Sequence, residues 1–269
     1  VIVNSIPDDN TPLGKIFRIL SERAGTDFSN YKPSTICRRL EKRFVALKIS
    51  NIEDYVDYLL KTPGEAEALF NSILIGVTSF FRDHDAYMAI QPILEKIITS
   101  KKTGDNIRIW VPGCATGEEA YSIALLLTDL LKHRVHEFNI QIFATDIDEE
   151  AIAHARKAVY DEQSVKGLPA QYIKGYFIRK GDKYELIKPI RSLVLFSRHD
   201  LVSNPPFLKL DLLSCRNLLI YFGAGLQKHI IPVFHYALNP NGYLFLGKSE
   251  TVGQYSDLFS TLDGKSKLF

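Results

Sequence analysis

What is scarce in this chain narrows it first. Three cysteines, Cys37, Cys114 and Cys215, stand far apart in 269 residues. An odd, scattered set builds neither a disulfide framework nor a C-x-x-C metal site, and a reducing cytoplasm is the expected setting. With no C-x-x-C to complete a zinc site around the seven histidines, no metal is expected. No apolar run reaches the ~18 residues of a membrane span, and Val1-Ile2-Val3-Asn4 lacks the charged start of a signal peptide. Membrane insertion is therefore not expected. A formal net charge of only +2 excludes the strongly basic balance of a nucleic-acid-binding domain, so no nucleic-acid partner is expected. The missing initiator Met is what a fragment of a longer chain would have, with simple processing as the bland alternative.

What is present is ordinary soluble composition, 46% hydrophobic and 24% charged, enough for one large domain or two modest ones. Up to about residue 90 the periodicity is helical throughout. Thr11 before Pro12 reads as a helix start, with Leu13, Ile16, Phe17 and Leu20 as its apolar stripe and Gly25 as its stop. A second helix follows Pro33, with Ile36, Leu40, Phe44 and Leu47 inward and Arg38, Arg39, Lys42, Arg43 and Lys48 outward. Such a face docks an acidic partner or simply meets solvent. Third and fourth helices are expected over about 52–60 and 65–75.

The rest of the chain is organised around residues 107–127. A short apolar run breaks at Pro112-Gly113, passes Cys114-Ala115-Thr116-Gly117, and resumes at helical spacing from Tyr121. Strand, tight turn and helix in that order open a nucleotide-binding α/β domain. Glu118 and Glu119 sit at the helix start, where a phosphate would meet two carboxylates. The turn therefore favours a ligand with hydroxyls or positive charge over a pyrophosphate. A nicotinamide-linked dehydrogenase would need G-x-G-x-x-G, and Ala115 stands at the second glycine.

Further on, strand and helix alternate as in a parallel sheet. The run Ile140 to Asp146 ends in an acid where Rossmann-like domains hold ribose hydroxyls; an Asp opening a turn before a helix is the plain alternative. From about 165 to 192 the texture changes to a small helix and an antiparallel hairpin around Lys180-Gly181-Asp182-Lys183, an insertion in the parallel sheet. Core strands are expected again near 193–196 and 208–213. A helix near 225–238, a strand at 243–246 and a closing strand at 267–269 imply a reversed strand at one sheet edge. Phe80-Phe81-Arg82 is either a packing corner or a place where Arg82 meets a bound carboxylate with its planar fork. Asn204-Pro205-Pro206-Phe207 is similar to the N-P-P-[YF] motif of amine methyltransferases, but it precedes the core strand instead of following it, and reads as a loop.

Five motifs recur together in one order: T-S-F-F-R-D, G-C-A-T-G-E-E-A-Y-S-I-A, A-T-D-I-D, L-L-S-C-R-N-L-L-I-Y-F and G-Y-L-F-L-G-K-S-E. Together they resemble the CheR-type chemotaxis receptor methyltransferase family, from about Gly14 to the end. The resemblance implies a Rossmann-like α/β S-adenosylmethionine-dependent methyltransferase domain, preceded by a small helical domain and carrying an inserted β-subdomain. On this sequence the expected boundaries are 1–88 for the helical domain and 89–269 for the methyltransferase domain, with the insertion at about 168–192.

The implied reaction is methyl transfer from S-adenosylmethionine to glutamate carboxylates of chemoreceptor cytoplasmic domains, with S-adenosylhomocysteine as product. Carried over by motif, the cofactor contacts are Thr78, Arg82, Gly113, Glu119, Asp146, Asp200, Leu201, Arg216 and Asn217. Asp146 would take the ribose, Glu119 the ammonium side, Arg82 the carboxylate, and the strand ends at 200 and 217 would frame the adenine. Arg82 and Tyr221 are the expected catalytic pair. Gly76 and Asp200 depart from the family pattern, each replacing an Asn.

With the family in view, Arg38, Arg39, Lys42 and Arg43 are expected to dock an acidic helical receptor domain. The short hairpin lacks the glycine-rich lengthening of members that grip a C-terminal receptor pentapeptide, so no such tether is expected. The C-terminal wording is similar to members fused to other signalling domains, which leaves a non-catalytic module binding S-adenosylmethionine or S-adenosylhomocysteine as the alternative.

Overall fold

The computed structural model describes residues 8, 10–74 and 76–269. They divide into two compact units, the described residues up to 74 with 221–229, and residues 76–220 with 230–269. This division in the chain falls ahead of the 88/89 boundary expected from sequence, which lies inside a helix of the second unit.

The first unit is helical: α1 (Pro12–Ala24), α2 (Pro33–Leu47), α3 (Ile52–Lys61) and α4 (Glu65–Ile73). The helix starts follow from their caps. The Thr11 hydroxyl accepts the Gly14 N–H at 3.1 Å with Pro12 at the first turn, and the Asn51 side chain accepts the Asp54 N–H at 2.8 Å. Gly25 ends α1 at φ 69°, the left-handed conformation that a residue without Cβ adopts freely. Ile16, Leu20, Phe28, Ile36, Tyr55, Leu59 and Leu69 are fully buried between these helices. Phe44 is only half-buried and packs against Tyr55 at 5.0 Å.

In the second unit α5 (His84–Thr99) leads into β1 (Asn106–Pro112), α6 (Glu118–Leu131), β2 (Asn139–Asp146) and α7 (Glu149–Lys157). Then come β3 (Val159–Asp161), the short α8 (Glu162–Val165), α9 (Ala170–Tyr176), β4 (Phe177–Lys180), β5 (Lys183–Leu186) and α10 (Lys188–Arg191). The chain closes with β6 (Val194–Arg198), β7 (Leu210–Cys215), α11 (Ala224–Ala237) and β8 (Leu238–Leu246). The main sheet has the order β6-β2-β1-β7-β8, and these five strands pair in parallel. Its central strands are covered on both faces, so β7 is buried at all six positions and reads as an unbroken apolar run except for Asp211 and Ser214.

The reversed edge is the chain's last segment, where Leu244 and Phe269 exchange two backbone hydrogen bonds of 2.9 Å and Phe245 bridges Leu268 in antiparallel sense. The strand before it, β8, is parallel to β7 because α11 supplies the crossover. It also begins earlier than the periodicity suggests: Leu238 already pairs with Leu210, and residues 239–242 form an irregularity inside the strand.

The inserted subdomain is a three-stranded antiparallel sheet, β3-β5-β4. Its third strand, β3, is too short to leave a period in the sequence. The Asn204-Pro205-Pro206-Phe207 loop precedes β7 as expected, and Phe207 stacks on Phe143 at 4.5 Å and meets the buried Trp110 edge-on at 5.4 Å. Among the described residues no helix is long and apolar enough to cross a membrane.

Candidate cofactor site

In a parallel sheet of this order, ligands sit beyond the carboxyl ends of the strands. The turn between β1 and α6 is built there from three residues of positive φ: Gly113 (70°), Ala115 (45°) and Gly117 (96°). A Cβ on Gly117 would lie 2.9 Å from the Ala155 Cβ and 3.1 Å from Phe196, so this glycine lets α6 and its neighbours close up. On Gly113 the nearest atom is a movable Leu218 methyl at 2.9 Å.

Asp146 ends β2 and organises this turn. Its Oδ2 accepts the Ala115 N–H at 2.8 Å and its Oδ1 the Asp148 N–H at 3.0 Å. Burial pushes its acid above the ordinary range, while the Asp148 and Ala115 amides pull the other way. Each carboxylate oxygen keeps acceptor capacity beyond these amides.

Glu119, in the first turn of α6, is half-buried, and its Oε1 accepts the Ser214 hydroxyl at 2.6 Å. Burial pushes its carboxyl up to about 7, against the pull of Arg216 and of Ser214. Glu118 plays a different part. It is buried, accepts the Thr116 hydroxyl at 2.6 Å, and so stays inside the turn.

Arg216, just after β7, is almost wholly buried, and its guanidinium is turned inward. It donates to the Arg82 carbonyl at 3.0 Å and to Asp83 Oδ2 at 2.9 Å, and lies over the rings of Phe245 at 4.7 Å and Tyr87 at 5.3 Å. Lys248 meets the other Asp83 oxygen at 3.1 Å. Asp83 itself is left-handed at φ 62°, so this network holds an otherwise unfavoured turn at the start of α5.

The Arg82 side chain is half-buried, next to that turn, and donates to the Val77 carbonyl at 2.8 Å. Thr78 lies in the same segment, also half-buried. Asn217 follows Arg216 at φ 60°; its N–H donates to Glu250 Oε2 at 2.9 Å, and its Oδ1 is buried without a partner among the described residues.

Asp200 turns into its own loop: it accepts the Val202 N–H and the Ser203 hydroxyl, both at 2.8 Å, with half-buried Leu201 beside it. Tyr221 belongs to the first unit, where its carbonyl accepts the Lys32 N–H at 2.8 Å. Of the basic residues on α2, Arg38 and Lys42 are exposed and Arg39 is half-buried, its Nε without a partner among the described residues. Arg43 is engaged: its fork donates to Glu65 at 3.0 and 2.5 Å, and the Tyr55 hydroxyl donates to the same carboxylate at 2.7 Å.

Ser214, Asp83 and Glu250 were not singled out in the sequence. All three do lie inside motifs that carried the resemblance; their roles needed tertiary contacts to emerge.

A glycine turn, a half-buried carboxyl in the helix after it and an acid at the tip of the second strand are the features of a Rossmann-like domain that holds a nucleoside-bearing ligand. The chain belongs to the CheR methyltransferase family: residues 76–268 match the family described as CheR methyltransferase, SAM binding domain, and residues 12–74 its all-alpha domain. S-adenosylmethionine is thus its cofactor.

Among relatives, a Rhodobacter capsulatus protein described as an uncharacterized 104.1 kDa protein in the hypE 3' region is 36% identical over 96% of this chain. The chain spans only 27% of that protein's length. Chemotaxis protein methyltransferase 2 of Vibrio cholerae is 32% identical, over 96% of this chain and 91% of that one. The Escherichia coli chemotaxis protein methyltransferase is 30% identical, over 94% and 88%.

Proposed function

We propose that this chain transfers a methyl group from S-adenosylmethionine to glutamate side chains of a chemoreceptor cytoplasmic domain, leaving methyl esters and S-adenosylhomocysteine. The observation that carries the reading is that Asp146, at the end of β2, and Glu119, in the first turn of α6, are two carboxyls with acceptor capacity left over on either side of the glycine turn. Relatives named as chemotaxis methyltransferases support the substrate class.

The bound cofactor supplies an electrophilic methyl on a sulfonium. The chain's residues bind and orient. Asp146 takes ribose hydroxyls, Glu119 the ammonium group, Asn217 a donor on the adenine, and Arg82 a carboxylate. A glutamate acceptor is already ionised at neutral pH, with an ordinary pKa near ~4.3, so no general base is needed. Catalysis is then a matter of holding the acceptor oxygen in line at roughly 3–3.5 Å, with partial loss of its water. Arg82 and Tyr221 are assigned to that alignment. Their hold on the ground-state anion must stay loose, because equal stabilisation of ground and transition state adds no rate.

The test is incubation with methyl-labelled S-adenosylmethionine and a receptor cytoplasmic fragment. Label released as methanol by base identifies a carboxyl ester, and base-stable label overturns the reading. A second reading is favoured by the 27% share of the Rhodobacter relative that this chain spans: a cofactor-binding module of a larger signalling protein. Tight S-adenosylhomocysteine binding with no transfer would select it.

A further inference from the structure

One buried anion lies behind the strand ends and has no part in the assignments above. Glu250 is 3% exposed, and a carboxylate taken from water needs donors facing it. Its Oε2 accepts the Gly247 N–H at 2.6 Å and the Asn217 N–H at 2.9 Å. Burial pushes this acid up, and the amides of Gly247, Asn217, Leu219 and Ile220 oppose that push. The donors come from two separate segments, the residues that follow β7 and the turn that follows β8. A single carboxylate therefore joins two strand ends.

Local conformation and local space point the same way. Asn217 stands at φ 60°, a left-handed turn that asparagine adopts more readily than other side-chain-bearing residues, and its N–H in that turn is held by Glu250. A Cβ on Gly247 would lie 2.7 Å from Glu250 Oε2 and 2.8 Å from the Asn217 nitrogen, so only glycine admits this approach. The product of the arrangement is the Asn217 Oδ1, buried, without a partner among the described residues and ready to accept from a donor that they do not supply.

We infer that Glu250 is a positioning residue of the cofactor site: its carboxylate fixes the left-handed turn at Asn217 and so presents the Asn217 amide to a nitrogen-bearing heterocycle. This rests on the reading of Asn217 as an adenine contact. Glu250 touches neither cofactor nor substrate; it acts through Asn217.

The experiment is titration calorimetry of the whole chain with S-adenosylhomocysteine, for wild type, Glu250→Gln, Asn217→Ala and the double variant. Replacing the ionised acceptor is expected to weaken binding about 10-fold, the scale of one hydrogen bond to a charged group. In the Asn217→Ala background the same replacement is expected to cost almost nothing further, because the residue it acts through is gone. An unchanged affinity in Glu250→Gln overturns the inference, and so do additive losses, which would mark a merely structural group. If Glu250→Gln does not fold, Gly247→Ala, which displaces the carboxylate from its amides, takes its place in the same cycle with the same expected and overturning results. Failure of the wild-type chain to bind S-adenosylhomocysteine would sink the cofactor reading instead, so the two failures are distinguishable.

Discussion

Glu119 is the residue whose chemistry is most exposed to test. Its carboxyl is pushed up to about 7 by burial, with Arg216 and Ser214 pulling it down. An acid whose folded pKa lies above its unfolded value of ~4.3 contributes stability that is fully present below the unfolded pKa and is lost as pH rises towards 7. A ligand bearing an ammonium group reverses this, since it selects the ionised carboxylate. Affinity for S-adenosylhomocysteine is therefore expected to rise with pH up to about 7 and to level off above it. The thermal shift given by the ligand should be larger at pH 8 than at pH 6, and Glu119→Gln should remove the difference. A flat wild-type profile would sink the assignment of Glu119 to the ammonium.

Arg216 gives a prediction of another kind. Truncation to Ala would take the guanidinium from the Arg82 carbonyl and from Asp83, which keeps Lys248, and would empty its place over Phe245 and Tyr87; the lost charged hydrogen bond and packing together cost about 2 kcal/mol. Denaturant unfolding of Arg216→Ala measures this, and Arg216→Lys should recover only part of it, because one ammonium cannot reproduce the planar fork.

At the scale of elements, the turn from β1 to α6 is constrained unequally at its two glycines. Both have positive φ, but the space around Gly117 is closed by the Ala155 Cβ and the Phe196 ring, whereas Gly113 faces a single movable leucine. Gly117→Ala should cost about 2 kcal/mol or more from strain and overpacking together, and Gly113→Ala clearly less. Urea unfolding of the two variants settles the order, and equal losses would count against this account of the turn.

That turn was also the most legible part of the sequence, since proline, glycine and helical spacing are local signals. The four helices of the first unit were legible for the same reason: Thr11, Asn51 and Gly25 cap where a short-range rule places them. Less legible was whatever depends on partners distant in sequence. The short strand β3 exists because β5 pairs with it, and the parallel sense of β8 follows from the α11 crossover. In the site, Asp146 and Glu119 could be placed by position on their elements. The side-chain direction of Arg216 could not, because the rings that receive it, Tyr87 and Phe245, come from two other elements.

For the whole molecule, a net charge of +2 leaves any electrostatic attraction to a receptor to local patches, and α2 carries the clearest one. Its four basic residues are not equivalent. Arg38 and Lys42 are exposed, whereas Arg43 is held by Glu65 and Tyr55 inside the first unit. If α2 docks an acidic receptor helix, charge reversal at Arg38 and Lys42 should raise the KM for the receptor fragment several-fold, leaving kcat and the affinity for S-adenosylhomocysteine alone. The wild-type KM should rise with salt, since exposed charges are screened within about 8–10 Å at physiological ionic strength, and the doubly reversed variant should respond less. Arg43→Ala should instead lower the unfolding free energy, by leaving Glu65 buried without its cation. A receptor KM indifferent to Arg38→Glu and Lys42→Glu would remove α2 from the docking surface and leave its basic face as a solvated one.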